Sequence, residues 1–427
     1  MKKIAIILLV LTGLVFQHCK KKQKEDVPVP TTGMVNGKVT NSSGAGIANA
    51  QVIVFNGNTN TPFTTLVTSA DGSYSTELNP GNYFIKVYSQ GYKNIPATGL
   101  SSVPFAIIVG TTLTNNYQMT ASTVVNPGLI KGMVSTTAAN KSGILVVAND
   151  GKVGYSSVTD GNGSYTIFNI PTGSYTVNGW VAGYSSSQVS ATVVGSVETS
   201  NVNLMMTSGT MGSVTGAITF AATTNIETDV SLVNPYTLET IAGLSTTTSG
   251  GNYTITNVPT GTYIGRASFA NDGKVIDPDY IVKNGEPTVI VSGGAATLNF
   301  TATGAVTLLM PTNEAATTIP VKVNSTTPTF SWTAYSSTDD YVIEVMNSNG
   351  QVIWGGFTGS GTSITKNIVI LKSATSIVYN SDGMAKAPLE VGKVYRWRIY
   401  ASKSCNGCTP AWTLISKSED QMGLIMP

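Results

Sequence analysis

Hydrophobic and polar residues alternate with a period of two along most of this chain. Gln51-Val52-Ile53-Val54-Phe55 and Asn82-Tyr83-Phe84-Ile85-Lys86-Val87-Tyr88 are typical runs, and Gly, Asn and Pro punctuate them. Short alternating runs bounded by turn formers predict β-strands that lay one face on a core. No amphipathic helical stretch stands out, so the chain is expected to be all-β. At 427 residues it should divide into several domains. Its low charge does not signal disorder, because aromatic and β-branched residues are plentiful.

The beginning of the chain departs from the pattern. Lys2 and Lys3 precede an almost unbroken apolar run over residues 4–16, too short to span a bilayer stably. Phe16-Gln17-His18-Cys19 follows, then Lys20-Lys21-Lys22-Gln23-Lys24-Glu25-Asp26. This order resembles a bacterial lipoprotein signal. The resemblance implies cleavage before Cys19 and lipid on its thiol and new amino terminus. Residues 1–18 are then a signal peptide and 19–32 a tether. Gln17 and His18 are bulkier than the small residues usual before such a cysteine, a departure that Bacteroidota lipoproteins tolerate. Gln23-Lys24-Glu25-Asp26 also resembles the short lysine-plus-acidic export signal of Bacteroidota surface lipoproteins. Together they imply an outer-membrane protein, lipid-anchored and facing the cell surface, with the periplasmic face as the alternative. Each buried acyl methylene contributes ~0.8 kcal/mol to such an anchor.

Three ordered landmarks then recur. Gly33-Met34-Val35-Asn36-Gly37, Gly128-Leu129-Ile130-Lys131-Gly132 and Gly212-Ser213-Val214-Thr215-Gly216 each open a unit. A turn and a tyrosine follow: Asp71-Gly72-Ser73-Tyr74, Asp160-Gly161-Asn162-Gly163-Ser164-Tyr165, and Gly250-Gly251-Asn252-Tyr253. Then come the corners Pro80-Gly81-Asn82-Tyr83, Pro171-Thr172-Gly173-Ser174-Tyr175 and Pro259-Thr260-Gly261-Thr262-Tyr263. The corner tyrosines lie roughly ninety residues apart, a repeat period. Asp-Gly supplies the positive φ and local hydrogen bonding of a tight turn. The tyrosine starts a strand whose inward series is Tyr83, Ile85, Val87 in the first unit.

These landmarks, with Ile47-x-x-Ala50-x-Val52 and Gly91-Tyr92, resemble the carboxypeptidase regulatory-like family. The resemblance implies three seven-stranded, prealbumin-like β-sandwiches over 33–122, 123–207 and, more divergently, 208–303. Related sandwiches include starch-binding modules, so carbohydrate binding is an implied role. Residues 304–427 follow a different pattern. Pro328-Thr329-Phe330-Ser331-Trp332, Tyr341-Val342-Ile343-Glu344-Val345 and Tyr395-Arg396-Trp397-Arg398-Ile399-Tyr400-Ala401 read as strands. Tyr395, Trp397, Ile399 and Ala401 share one face, with Arg396, Arg398 and Tyr400 opposite. The pattern resembles a fibronectin type III or immunoglobulin-like sandwich, with Trp332 and Trp397 in its core.

Charge and composition exclude several functions. Cleavage before Cys19 removes Lys2, Lys3 and the only histidine, His18, and leaves acids and bases in balance. There is no basic stripe for nucleic acid. Without histidine, Ser-His-Asp and Cys-His catalysis are excluded, as is histidine-ligated zinc. No paired carboxylates stand in a glycosidase framework. No enzyme activity, catalytic residue, metal or cofactor is expected. Asp272, Asp277 and Asp279 cluster in one insertion but fit no calcium-loop signature, and are expected to be turn residues in solvent. Cys405-Asn406-Gly407-Cys408 sits after a strand rather than at a helix start, which favours a local disulfide in an extracytoplasmic protein.

Two aromatics remain. Tyr88 and Trp180 occupy equivalent places five residues after the corner tyrosines, on the strand face away from the core; Ser268 stands there in the third unit. Flat rings beside polar neighbours suit sugar stacking, but packing under a loop or against the next domain is the favoured reading. The expected function is a non-enzymatic, surface-tethered binding or spacer module, with glycan binding through Tyr88 and Trp180 its sharper version. The alternative is a structural envelope subunit that docks another protein.

Overall fold

Along Gly81–Tyr88, the strand after the first corner, the period of two sorts the side chains as expected. Tyr83, Ile85 and Val87 are buried in one core, and Phe84, Lys86 and Tyr88 point the other way. The same holds for Tyr175 and Val177 in Gly173–Trp180 and for Tyr263 in Gly261–Phe269. The structure, a computed structural model, describes residues 30–96, 102–138, 140–221, 227–269, 272–314 and 319–427. Cys19 lies outside the described residues. Among them, no helix is long and apolar enough to cross a membrane.

The described chain is an all-β protein of tandem sandwiches. In the first, Pro62–Val67, Gln51–Asn56, Gly81–Tyr88 and Phe105–Ile107 form an antiparallel sheet in that order. It faces a sheet in which Gly33–Thr40 pairs antiparallel with Ser73–Leu78 and parallel with Thr112–Thr114 and Tyr117–Gln118. The second and third sandwiches share this topology. The third keeps it despite its weaker landmarks, because the alternation of its strands and its tyrosines is intact.

The repeated residues have a common physical reason. The last strand of each unit breaks in two, at Asn115, Val202 and Leu298. At each break the backbone carbonyl turns inward and accepts from a tyrosine hydroxyl: Tyr74 to Asn115, Tyr165 to Val202, Tyr253 to Leu298. That carbonyl lies where a side chain at Gly37, Gly132 or Gly216 would stand. The corner tyrosines also repeat one bond. Tyr83, Tyr175 and Tyr263 each donate to the carbonyl four residues back, on Asn79, Pro171 and Pro259. In the first turn Asp71 accepts from the Ser73 amide, and Gly72 takes a φ of +80°.

In the fourth domain a three-stranded sheet (Leu308–Met310, Thr329–Trp332, Ser376–Val378) faces a larger one built around Asp340–Asn347 and Tyr395–Ser404. Phe330, Trp332, Trp354 and Trp397 fill the space between, with Phe330 and Trp397 centred 4.8 Å apart. Cys405 and Cys408 are disulfide-bonded in the loop between Tyr395–Ser404 and Trp412–Lys417.

Of the three acids of the insertion at residues 272–279, Asp272 lies in an exposed bend as expected, but Asp277 and Asp279 do not. The insertion leads into α1 (Pro278–Asn284), capped by the Asp277 carboxylate and started by a proline. Asp279 accepts from the Leu414 amide at 2.8 Å and pairs with Lys283. Lys283 in turn donates to the Trp412 carbonyl and lies 4.8 Å over its ring. These groups fasten the third domain to the fourth.

The domains do not run out in line. Asn169 bonds the Ser89 and Tyr92 carbonyls across the first joint, and Ala182 and Gly183 donate to Ala242 and Asn257 across the second. The chain then closes on itself. Val103 of the first domain packs with Val394, Leu424 and Met426 of the fourth, and Asn349 donates to the Gln118 carbonyl.

Candidate functional site

The strand faces that alternation turns away from the four cores have two fates. Some meet a neighbouring domain; others surround a central cleft.

Tyr88 and Trp180 point away from their own cores as expected and pack against neighbouring domains, which corrects only the glycan-stacking version with its exposed aromatic platform. Tyr88 is 3% exposed and clusters with Ile53, Phe55 and Phe84 against Val158 and Phe168 of the second domain. Burial pushes its hydroxyl well above the usual range, and the Glu239 carboxylate adds to that. Trp180 packs into the core cluster of the third domain, 5.7 Å edge-to-face from Tyr263. Leu145 and Val147 join the same joint. The sequence held a signal for this. Val52-Ile53-Val54-Phe55 and Leu145-Val146-Val147-Ala148 are unbroken apolar runs, the mark of a strand buried on both faces.

The cleft is bounded by domains one, three and four, with Ser156 reaching it from the second. Its volume is about 870 Å³, within the roughly 300–1,000 Å³ of small-molecule sites. The first domain contributes Phe84, Lys86 and Tyr88; the third contributes Asp229, Ser231, Arg266 and Ser268; the fourth contributes Arg396, Arg398 and Tyr400. All stand on the faces opposite their cores. Sequence reading placed Arg396, Arg398 and Tyr400 on one face but had no means of seeing what that face meets.

Most of the charges here are paired. Lys86 reaches Glu239 at 2.7 Å, joining domains one and three. Arg266 grips Glu286 with Nε on one carboxylate oxygen (2.5 Å) and Nη2 on the other (2.7 Å). Arg398 meets Asp420 at 3.1 Å, and Lys417 reaches the same carboxylate at 2.6 Å. Burial opposes the Asp420 charge, but Lys417 and Arg398 outweigh it and hold the carboxyl well below the usual range. Burial raises the Glu344 carboxyl on the strand beside it, and Arg398 and the Tyr400 hydroxyl work against that rise.

Glu227 and Asp229 on the third-domain wall form no ion pair among the described residues, and neither does Arg396. Arg396 is 5% exposed, and its Nε and Nη2 have no hydrogen-bond partner among the described residues. Burial and the neighbouring Arg398 push its guanidinium down to about 9 while the Asp420 charge works the other way, so it is still charged at neutral pH. Buried donors without acceptors are costly to the empty protein. The same cleft also holds buried acceptors without donors: Asn94 Oδ1 from the first domain, Glu239 Oε2 from the third and Gln421 Oε1 from the fourth.

The fold and cleft define a multidomain β-sandwich protein with a polar interdomain cavity. Residues 34–119 match the family model of the carboxypeptidase regulatory-like domain, which gives the first sandwich its type. None of the curated proteins matches the chain. Among solved structures it is similar to the TIE protein of Bacillus anthracis (17% identity, 64% of this chain and 51% of that one, TM-score 0.19). It is also similar to a leucine-rich repeat protein from Bacteroides thetaiotaomicron (18% identity, 40% and 26%, TM-score 0.23). A third is the major pilin subunit of Bacillus cereus (13% identity, 64% and 100%, TM-score 0.19). The chain thus spans about half the length of the first of these and about a quarter of the second.

Proposed function

We propose that this protein is a non-enzymatic binding protein of the bacterial cell envelope. It is tethered by lipid at Cys19 and takes a small polar ligand into the cleft between its domains. The observation that carries the reading is the unpartnered Arg396 guanidinium at the wall of that cleft. A fold keeps such a group at a cost to its stability when a ligand completes it. The cleft lies between domains, where ligand sites concentrate. Its paired carboxylates and lack of histidine support binding rather than catalysis. The Bacteroidota-like signal supports an outer-membrane, surface-facing location.

Ser268 stands on the cleft wall, and Ser268→Trp should fill the space without touching a domain core. A panel of labelled saccharides and small anions should bind the wild type and be lost from this variant at an unchanged melting temperature. Equal binding by both would place the ligand elsewhere and end the cleft reading. The tether is tested separately. A palmitate analogue fed to cells should label the wild type and leave Cys19→Ser unlabelled; equal labelling would rule out lipid at this cysteine.

A further inference from the structure

The cleft's unsatisfied atoms describe the molecule that would satisfy them. Nε and Nη2 form the edge of a guanidinium that grips two oxygens of one oxyanion at once. Arg266 shows this within the same cleft, where that edge holds both oxygens of Glu286. On Arg396 the same edge is buried and empty-handed. Arg398 cannot serve Arg396, being a like charge, and is itself committed to Asp420. The Asp420 carboxylate offsets part of the Arg396 charge but accepts no hydrogen bond from it among the described residues.

Arg398 Nε is a further donor without an acceptor, and the remaining unsatisfied atoms ask for the opposite partner. Asn94 Oδ1, Glu239 Oε2 and Gln421 Oε1 are acceptors and need hydroxyl or amide hydrogens. They come from three different domains around one space. Much of the remaining wall is Ser, Thr and Asn, which suits a ligand rich in hydroxyl groups.

Taking the binding reading of the cleft as given, we infer that its ligand is an acidic saccharide, its oxyanion held by the Nε/Nη2 edge of Arg396 and its hydroxyls by the Asn94, Glu239 and Gln421 oxygens. Neither nitrogen of that edge is open to bulk water. The oxyanion therefore reaches it only as the surrounding side chains shift, and it arrives desolvated, where a charge-assisted bond is strongest. Carboxylate and sulfate esters share this chemistry, and separate probes distinguish them.

Calorimetric titration of the chain from residue 20 onward tests this with four probes. These are a galacturonate trisaccharide, its neutral methyl ester, a sulfated disaccharide and inorganic sulfate. At least one acidic saccharide should bind about tenfold or more tighter than the neutral ester, the discrimination expected of a charged hydrogen bond. Inorganic sulfate should bind far more weakly than either. Arg396→Met should erase the preference for the acid while its melting temperature holds or rises, which a merely structural arginine would not allow. Arg396→Lys keeps the charge and loses the fork, and should recover only part of the preference. Ser268→Trp should abolish all binding. If the neutral ester binds as well as the acid, and only Ser268→Trp matters, the cleft is a site but the acidic assignment falls. If an acid binds and Ser268→Trp leaves it unchanged, the cleft reading itself falls. Binding of inorganic sulfate as tight as the saccharides, or of none of the four, overturns the saccharide inference.

Discussion

Lys86→Met should destabilise the protein by about 3–5 kcal/mol, the cost of breaking a buried ion pair from one side. Lys86 is 9% exposed, its ammonium 2.7 Å from Glu239 and 4.9 Å over the Phe55 ring. Methionine fills much of the space but leaves Glu239 charged, buried and without its cation. The pair joins the first domain to the third, so its loss should also loosen the wall of the cleft. Chemical denaturation gives the energy, and small-angle scattering should show an increased radius. Replacing both partners, Lys86→Met with Glu239→Leu, should recover all but about 1 kcal/mol, because two apolar groups replace two matched charges. Because the pair is buried, the deficit should persist at high salt. A single variant within about 0.5 kcal/mol of wild type would mean that the two domains do not close on this contact.

The second large effect belongs to a glycine. Gly132→Ala should cost about 3 kcal/mol or more, at the upper end of overpacking. The added carbon would overlap the Val202 carbonyl and crowd the Tyr165 hydroxyl that donates to it. Backbone cannot yield there without unpairing the broken last strand. Hydrogen exchange should rise across residues 128–207 rather than throughout the chain. Gly161→Ala is the control, since its new carbon meets nothing within 4 Å. It should stay within about 0.5 kcal/mol of wild type. Equal melting curves for the two variants would discredit the role given to the repeated glycine.

The two predictions divide along what was readable beforehand. Gly132 belongs to a landmark visible in the sequence, because a turn, a tyrosine and a glycine that must meet within one unit leave a fixed spacing along the chain. The glycine's partner was not visible: nothing in Val202 or its neighbours announces a carbonyl turned inward. Alternation puts Lys86 on the face turned away from its own core, and says nothing of what that face meets. An unpaired lysine is costly to bury, and the partner that makes burial tolerable, Glu239, lies in another domain. Trp180 joins the next domain for a simpler reason, the large apolar area of an indole set edge-to-face on Tyr263.

Sequence alone determined the strands, their inward faces and the tandem sandwiches. These follow from local rules, since a strand's period and a turn's glycine act over a few residues. Only the tertiary structure decided that the fourth domain returns to the first, that α1 fastens the third to the fourth, and that Arg396 stands unpartnered beside a cleft. Those facts depend on contacts between residues hundreds of positions apart. Alternation tells a side chain which way to point from its own sheet; what stands in front of it is set by how whole domains pack.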